Sequence, residues 1–238
     1  MKLLIVRHGD PNYAIDSLTA KGKREAKLLA QRLSGLKNAT FYCSVLGRAK
    51  KTASYTLKAL GVTATYCDWL QEFRGSVKDE NGKDTCCWDR LPRTWTEEPI
   101  YFTKEWYHGA LFRETNVEAE YRIVCDGLDA LLERHGYRHV GNHFEAFAPN
   151  SDTIVLFCHF GVESVLLSHL FGVSPMVFWH NTCALTTSVT TLVTEEREQG
   201  YAIFRMLGFS DISHLYAGEE PPSFQARFCE RFTDDTRH

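Results

Sequence analysis

Short apolar runs alternate with helical stripes along most of the chain. The run Leu3-Leu4-Ile5-Val6 ends at Arg7, His8 and Gly9 and reads as a first buried strand. Ala39–Ser44, residues 64–70 and Thr153–Cys158 read as further strands. The last is apolar on both alternations, as the buried middle of a parallel sheet requires. Between the strands lie helical patterns. Ala26, Leu29, Ala30 and Leu33 recur at i, i+3, i+4 and i+7, behind a start at Thr19-Ala20-Lys21-Gly22 and a stop at Gly35. A second helix spans 46–60, with Ala49, Ala53, Leu57 and Leu60 on one side and Gly61 after it. A third spans 116–135 on a stripe of Val117, Tyr121, Val124, Leu128, Leu131 and Leu132. A fourth begins near Val162. Residues 184–193 and 201–207 alternate around a Glu-rich turn and predict an antiparallel pair at one sheet edge. Residues 137–149 are open to a hairpin or a loop, and 219–238 read as a terminal extension.

This alternation predicts an α/β fold around a mostly parallel sheet. Residues 76–115 interrupt it. They hold Trp88, Trp95, Tyr101, Phe102, Trp106, Tyr107 and Phe112 with little periodicity. So aromatic a segment is no disordered linker. It reads as an inserted cap over the sheet edge, with a helical piece near 101–107 and a small core of its own. No second domain and no internal repeat are evident, so residues 1–238 are expected to form a single domain.

Composition narrows the picture. The chain has 238 residues, a formal net charge of -3 and 44% hydrophobic residues. That suits a soluble globular protein and gives no reason to expect nucleic acid or an anionic membrane as partner. No apolar run is long enough to span a membrane, and the apolar start is too short for a signal-peptide core. A cytoplasmic location is expected. The eight cysteines fit it, since Cys43, Cys67, Cys125 and Cys158 sit in apolar stretches and no C-x-x-C pair exists.

The chemistry gathers where strands end. Arg7, His8, Arg48, Glu72 and His159 each fall at, or just beyond, the carboxyl end of a predicted strand. In doubly wound sheets such ends lie side by side and bind ligands. Arginine offers a planar fork of donors to a phosphoryl group, and histidine is a nucleophile or acid/base near neutral pH. Arg48 lies in the first turn of its helix, where unpaired backbone N–H groups favour an anion.

The motifs Arg7-His8-Gly9, Ser44-Val45-Leu46-Gly47-Arg48, Leu70-Gln71-Glu72 and Cys158-His159-Phe160-Gly161, in that order, resemble the histidine phosphatase superfamily, also called the phosphoglycerate mutase-like family. The resemblance covers 1–75 and 151–172. It implies a three-layer sandwich with helices on both faces of the sheet. It also implies a metal-independent phosphomonoesterase: His8 the nucleophile, Glu72 the general acid, His159 a catalytic and phosphate-binding partner, Arg7 and Arg48 phosphate ligands. Neither metal nor other cofactor is implied, and the partner expected is a small phosphorylated substrate.

Three departures bear on this reading. Ala14 stands where the mutases carry Asn, with Asn12 a partial substitute. Phe160 replaces the first of two common glycines. The insertion aligns with nothing. A mutase-type phosphotransferase and a catalytically silent phosphoester-binding protein are the alternatives. Glu80, Glu97 and Glu98 compete with Glu72 as the acid, and Arg90, Arg93 and Lys104 are candidates to meet a second anionic group of the substrate. His135, His139 and His143 are spaced by four, as metal ligands on a helix would be. Gly136 and Gly141 interrupt any such helix, so a surface loop is expected there. His214, in Ser213-His214-Leu215, is expected to be structural. Oligomeric state is not readable, although the final strand pair offers an edge.

Overall fold

The computed structural model describes residues 1–79, 81–223 and 230–233. In chain order, β1 (Lys2–Arg7) is followed by a small clip of β2 (Pro11–Asn12) and β3 (Ser17–Leu18), then α1 (Ala20–Leu33), β4 (Ala39–Ser44), α2 (Gly47–Leu60) and β5 (Thr65–Cys67). The insertion carries a hairpin, β6 (Ser76–Lys78) and β7 (Asp84–Cys86), a short α3 (Arg93–Thr96), and three 3₁₀ turns. Then come α4 (Val117–Arg134), β8 (Tyr137–Val140), β9 (His143–Ala146), β10 (Thr153–Cys158), α5 (Phe160–Phe171), α6 (Pro175–Asn181), β11 (Val189–Glu198), β12 (Tyr201–Asp211) and α7 (Ser213–Ala217).

Eight strands form one sheet in the order β5-β4-β10-β1-β11-β12-β9-β8. The first four are mutually parallel, and the rest join antiparallel. Period-two alternation sorts the core. Leu4 and Val6 pack with Leu29, Leu33, Ala49 and Leu57, under α1 and α2. Leu3 and Ile5 face the opposite side, with Leu128, Leu132, Val165 and Leu166 of α4 and α5. Helices therefore cover both faces, which is the expected three-layer α/β architecture.

β1 and β10 are neighbours in register, Arg7 beside Cys158. The chain leaves β1 toward α1 on one face and leaves β10 toward α5 on the other. That divergence opens a crevice at their carboxyl ends. Local contacts hold its floor. Thr19 caps α1 by accepting from Gly22 N at 3.0 Å. A Cβ on Gly22 would lie 2.2 Å from the Asp10 carbonyl oxygen, so only glycine lets the loop after His8 pack on α1.

Several expectations need correction. The final strand pair is not at an edge: β11 lies beside β1, and β8–β9, a hairpin, closes the sheet beyond β12. Both strands run longer than their alternation implied: the Glu-rich stretch continues β11 to Glu198, before a turn at Gly200, and β12 extends from Tyr201 to Asp211. The third strand is only Thr65–Cys67, and a 3₁₀ turn at Asp68–Leu70 carries the chain on to Glu72. The insertion has no core of its own. Trp95, Tyr101, Trp106 and Phe112 join the main cluster with α4, α5 and α6. Residues 101–107 form 3₁₀ turns, not one helix. Of the terminal extension, Glu220 pairs with Arg24 and Lys21 donates to Pro222 O at 3.3 Å; residues 224–229 and 234–238, and Glu80 in the insertion, lie outside the described residues. Among the described residues no helix is long and apolar enough to cross a membrane.

Candidate active site

His8 and His159 face each other across the crevice, ring centroids 5.0 Å apart and planes 57° apart. Both are buried, 2% and 0% exposed. Each ring has one nitrogen committed. His8 Nδ1 lies 2.8 Å from the Gly9 carbonyl oxygen and donates to it. Its Nε2 therefore carries the free lone pair. His159 Nε2 lies 2.8 Å from Ser44 Oγ, and Leu46 N–H donates to that oxygen at 3.2 Å. With the Ser44 hydroxyl donating to Nε2, a neutral His159 ring carries its own proton on Nδ1. That Nδ1 is buried with no hydrogen-bond partner.

Electrostatics agree with neutral rings. Burial, then the charge of Arg7, holds the His8 pKa well below its usual value. Burial, with His8, Arg48 and Arg7 adding to it, does the same for His159. Arg7 is itself 6% exposed, with one guanidinium nitrogen donating to the Ala184 carbonyl. Arg48 opens α2, whose first residues lack a side-chain cap of their own. Asp16 supplies it from the β2–β3 clip: its carboxylate accepts from Gly47 N at 2.5 Å and pairs with Arg48 at 2.7 Å. The Nε atoms of Arg7 and Arg48 are buried without partners.

Glu72 also reaches the site. Its Oε1 accepts from Phe73 N at 2.9 Å and from Val162 N, in the first turn of α5, at 3.2 Å. Burial raises its pKa, against the opposing pull of those N–H groups, Arg7 and Arg48. Trp88 of the insertion and Glu72 both crowd Gly161: a Cβ there would come 2.7 Å from Glu72 Oε1 and 2.8 Å from Trp88 Cζ3.

Thus Arg7, His8, Arg48, Glu72 and His159 come together. Arg93 and Lys104 do not join them: Arg93 is exposed beside Glu97, and Lys104 packs on Gly172 and bonds Asn142 at the far end of α5. Arg90 is tied to Thr85 at 2.6 Å and to the Cys86 carbonyl. Asn12 caps its own turn by accepting from Ala14 N at 3.2 Å, so its side chain serves the loop. Among the rival carboxylates, Glu97 is occupied with Arg93 on the surface and Glu98 is exposed. His214 is buried behind the site, Nε2 3.1 Å from Thr187 Oγ1, whose backbone N–H in turn donates to the His8 carbonyl.

Sequence reasoning missed Ser44, Asp16, Trp179 and Glu163. Trp179 Nε1 donates to the Gly161 carbonyl at 2.9 Å, and its ring packs on Phe73, Trp88 and Trp106. Glu163, one turn into α5, is 1% exposed and accepts from Thr190 Oγ1 at 2.6 Å. Ser44 was within reach of the pattern, since it ends a strand next to the Arg48 motif; the other three have no local signal.

Two arginines, a donating imidazole and a helix N-terminus suit an anion, not a cation. The fold is similar to that of a phosphoserine phosphatase mutant from Entamoeba histolytica in complex with phosphoserine, at TM-score 0.60 and 18% identity over 90% of this chain and 98% of that one. It is also similar to a mycobacterial glucosyl-3-phosphoglycerate phosphatase, TM-score 0.60, 17% identity, 88% and 98% covered. A third is the alpha-ribazole phosphatase of Shigella flexneri, TM-score 0.56, 18% identity, 89% and 97% covered. No curated protein matches the sequence. The family model of the histidine phosphatase superfamily (branch 1) matches residues 3–205, and the chain belongs to that superfamily.

Proposed function

We propose that this protein is a metal-independent phosphomonoesterase that hydrolyses a small phosphorylated metabolite through a phosphohistidine. Membership of the superfamily makes it an enzyme of the phosphatase type; the steps and the roles below are our reading. The observation that carries it is the hydrogen bond from His8 Nδ1 to the Gly9 carbonyl, which leaves Nε2 as a neutral nucleophile inside a cationic crevice.

The substrate's phosphoryl oxygens take Arg7 Nε, Arg48 Nε and His159 Nδ1, buried atoms that otherwise lack partners. These donors stabilise the charge that spreads over the equatorial oxygens during transfer. His8 Nε2 attacks phosphorus as the bond to the leaving oxygen breaks. Glu72, whose pKa is raised by burial, serves as the acid that gives a proton to that oxygen. Water then attacks the phosphohistidine, its proton passes to Glu72, and phosphate leaves. Trp88 and the insertion that holds it cover the crevice and exclude bulk water. The similar folds of phosphoserine, glucosyl-3-phosphoglycerate and alpha-ribazole phosphatases support a small phosphorylated substrate. We place the reaction in the cytoplasm, in keeping with the free thiols of the described cysteines.

The test is hydrolysis of an aryl phosphate from about pH 4 to 8 with chelator present. Wild type should turn over, His8→Ala should not, and a phosphoenzyme trapped by an alkaline denaturing quench should be stable in alkali and labile in acid. Turnover that survives His8→Ala would overturn the assignment.

A further inference from the structure

Three side chains from elements distant in sequence meet at the end of α5 remote from the crevice. Asp129 comes from α4, His139 from β8 and His169 from the last turn of α5. Asp129 Oδ1 lies 2.8 Å from His169 Nε2 and 3.3 Å from His139 Nδ1, and the two ring nitrogens are 3.1 Å apart. The sequence pattern pointed elsewhere, to His135 and His143 as companions of His139. Those two are otherwise engaged: His135 Nε2 lies 2.9 Å from the Tyr42 hydroxyl, and His143 stacks on Tyr201 at 4.0 Å. The segment is a β hairpin, not a loop, and it turns His139 toward the helices.

Hydrogen bonding alone does not satisfy this triangle. If both imidazole nitrogens carry protons for Asp129, two N–H groups confront each other at 3.1 Å. If one ring accepts from the other, its lone pair faces the carboxylate. Each protonation state of the neutral rings leaves one repulsive edge. A cation removes the conflict, because all three atoms can then bind it through lone pairs. The size fits as well. A triangle with these edges has its corners about 1.8 Å from its centre, so an ion raised about 1 Å above its plane lies about 2.0–2.1 Å from every donor, the distance of a zinc–imidazole or zinc–carboxylate bond.

We propose that Asp129, His139 and His169 form a binding site for one divalent transition cation of the zinc type, with water as fourth ligand. Two imidazoles and one carboxylate select such an ion over Mg²⁺ or Ca²⁺, which take oxygen ligands. The side chains are 33%, 18% and 14% exposed, which leaves an entry side for the ion and its water. The rings are held in place: His139 stacks on Phe144 at 4.6 Å, and His169 meets His139 edge-on at 4.5 Å. His169 lies ten residues along α5 from His159, about 15 Å. The ion is therefore no part of phosphoryl transfer. It fastens the edge hairpin, whose β9 pairs with β12 only at Tyr201 and Ala202, to α4 and α5.

The full chain, stripped with a chelator and dialysed, is titrated with zinc chloride by equilibrium dialysis and with cobalt(II) by visible absorption. We expect one zinc per chain, a rise in melting temperature with zinc, and tetrahedral cobalt bands without a thiolate charge-transfer band. His139→Gln and His169→Gln should each weaken zinc binding at least about tenfold, since even loss of a ligand's own hydrogen-bond partner costs about that much. Absence of stoichiometric zinc, a thiolate band in the cobalt spectrum, or zinc affinity unchanged in both variants would each overturn the site. The cobalt spectrum of the wild type decides the matter should a variant fail to fold.

Discussion

The indole nitrogen of Trp179 donates to the carbonyl oxygen of Gly161 at 2.9 Å. That bond joins the aromatic insertion, which packs around Trp179, to the turn that follows His159. Trp179→Phe keeps most of the ring but removes that bond, at a cost of about 0.5–1.5 kcal/mol. For a chain of this size that is a fall in melting temperature of about 1–6 °C. A thermal melt checks it; a variant that melts with the wild type would show that the bond carries no weight.

Gly161 itself admits no side chain. The Cβ of alanine would meet Glu72 Oε1 and the Trp88 ring at 2.7 and 2.8 Å. Gly161→Ala should displace the Glu72 carboxyl and lower kcat for an alkyl phosphate more than its melting temperature suggests. Steady-state kinetics beside a melt separates the two effects.

Ser44 positions His159 without touching substrate. Ser44→Ala removes the hydroxyl that holds Nε2, so the proton on Nδ1 is no longer assured. We expect kcat to fall on the order of tenfold, less than the hundredfold or more for a lost oxyanion donor. KM should change little, and the acid limb of the pH–rate profile should move up, because a ring without its donor on Nε2 protonates more readily. Unchanged kcat and profile would remove Ser44 from the mechanism.

Glu72→Gln tests the acid. Turnover should fall by roughly 10²–10⁴ for an alkyl phosphate, whose leaving oxygen needs a proton. It should fall much less for a nitrophenyl phosphate, whose leaving group departs as an anion. Equal losses for both substrates would reject the role.

Glu163 makes a prediction about stability. Burial raises its pKa to about 7, against the pull of Thr190 and Arg7. Between its unfolded value of 4.5 and about 7 the folded state holds a proton that the unfolded state has released. Its contribution is thus complete below the lower value and is lost as pH rises through the upper one. Glu163→Gln cannot ionise. Its melting temperature relative to wild type should therefore be higher at about pH 8 than at about pH 5. A difference independent of pH would mean that the carboxyl does not titrate in that window.

What the chain declares locally was legible from its residues. Alternation in β1 assigns Leu3 and Ile5 to one face and Leu4 and Val6 to the other, and the stripes of α1, α2 and α4 appear within a residue or two of where spacing puts them. The motif order was enough to name the superfamily and to nominate Arg7, His8, Arg48, Glu72 and His159. Periodicity, however, encodes only which face a side chain takes, never which strand lies beside which. Only the tertiary structure put β1 between β10 and β11, and so opened the crevice where their connections diverge. It also decided the partners of the site: Ser44 for His159, Asp16 for Arg48, Trp179 for Gly161. The grouping of Asp129, His139 and His169 is of the same kind, for these residues come from three elements that meet only when helices and hairpin pack. Hydrogen bonds across such distances leave no spacing in the sequence, because the chain between their ends is free to vary.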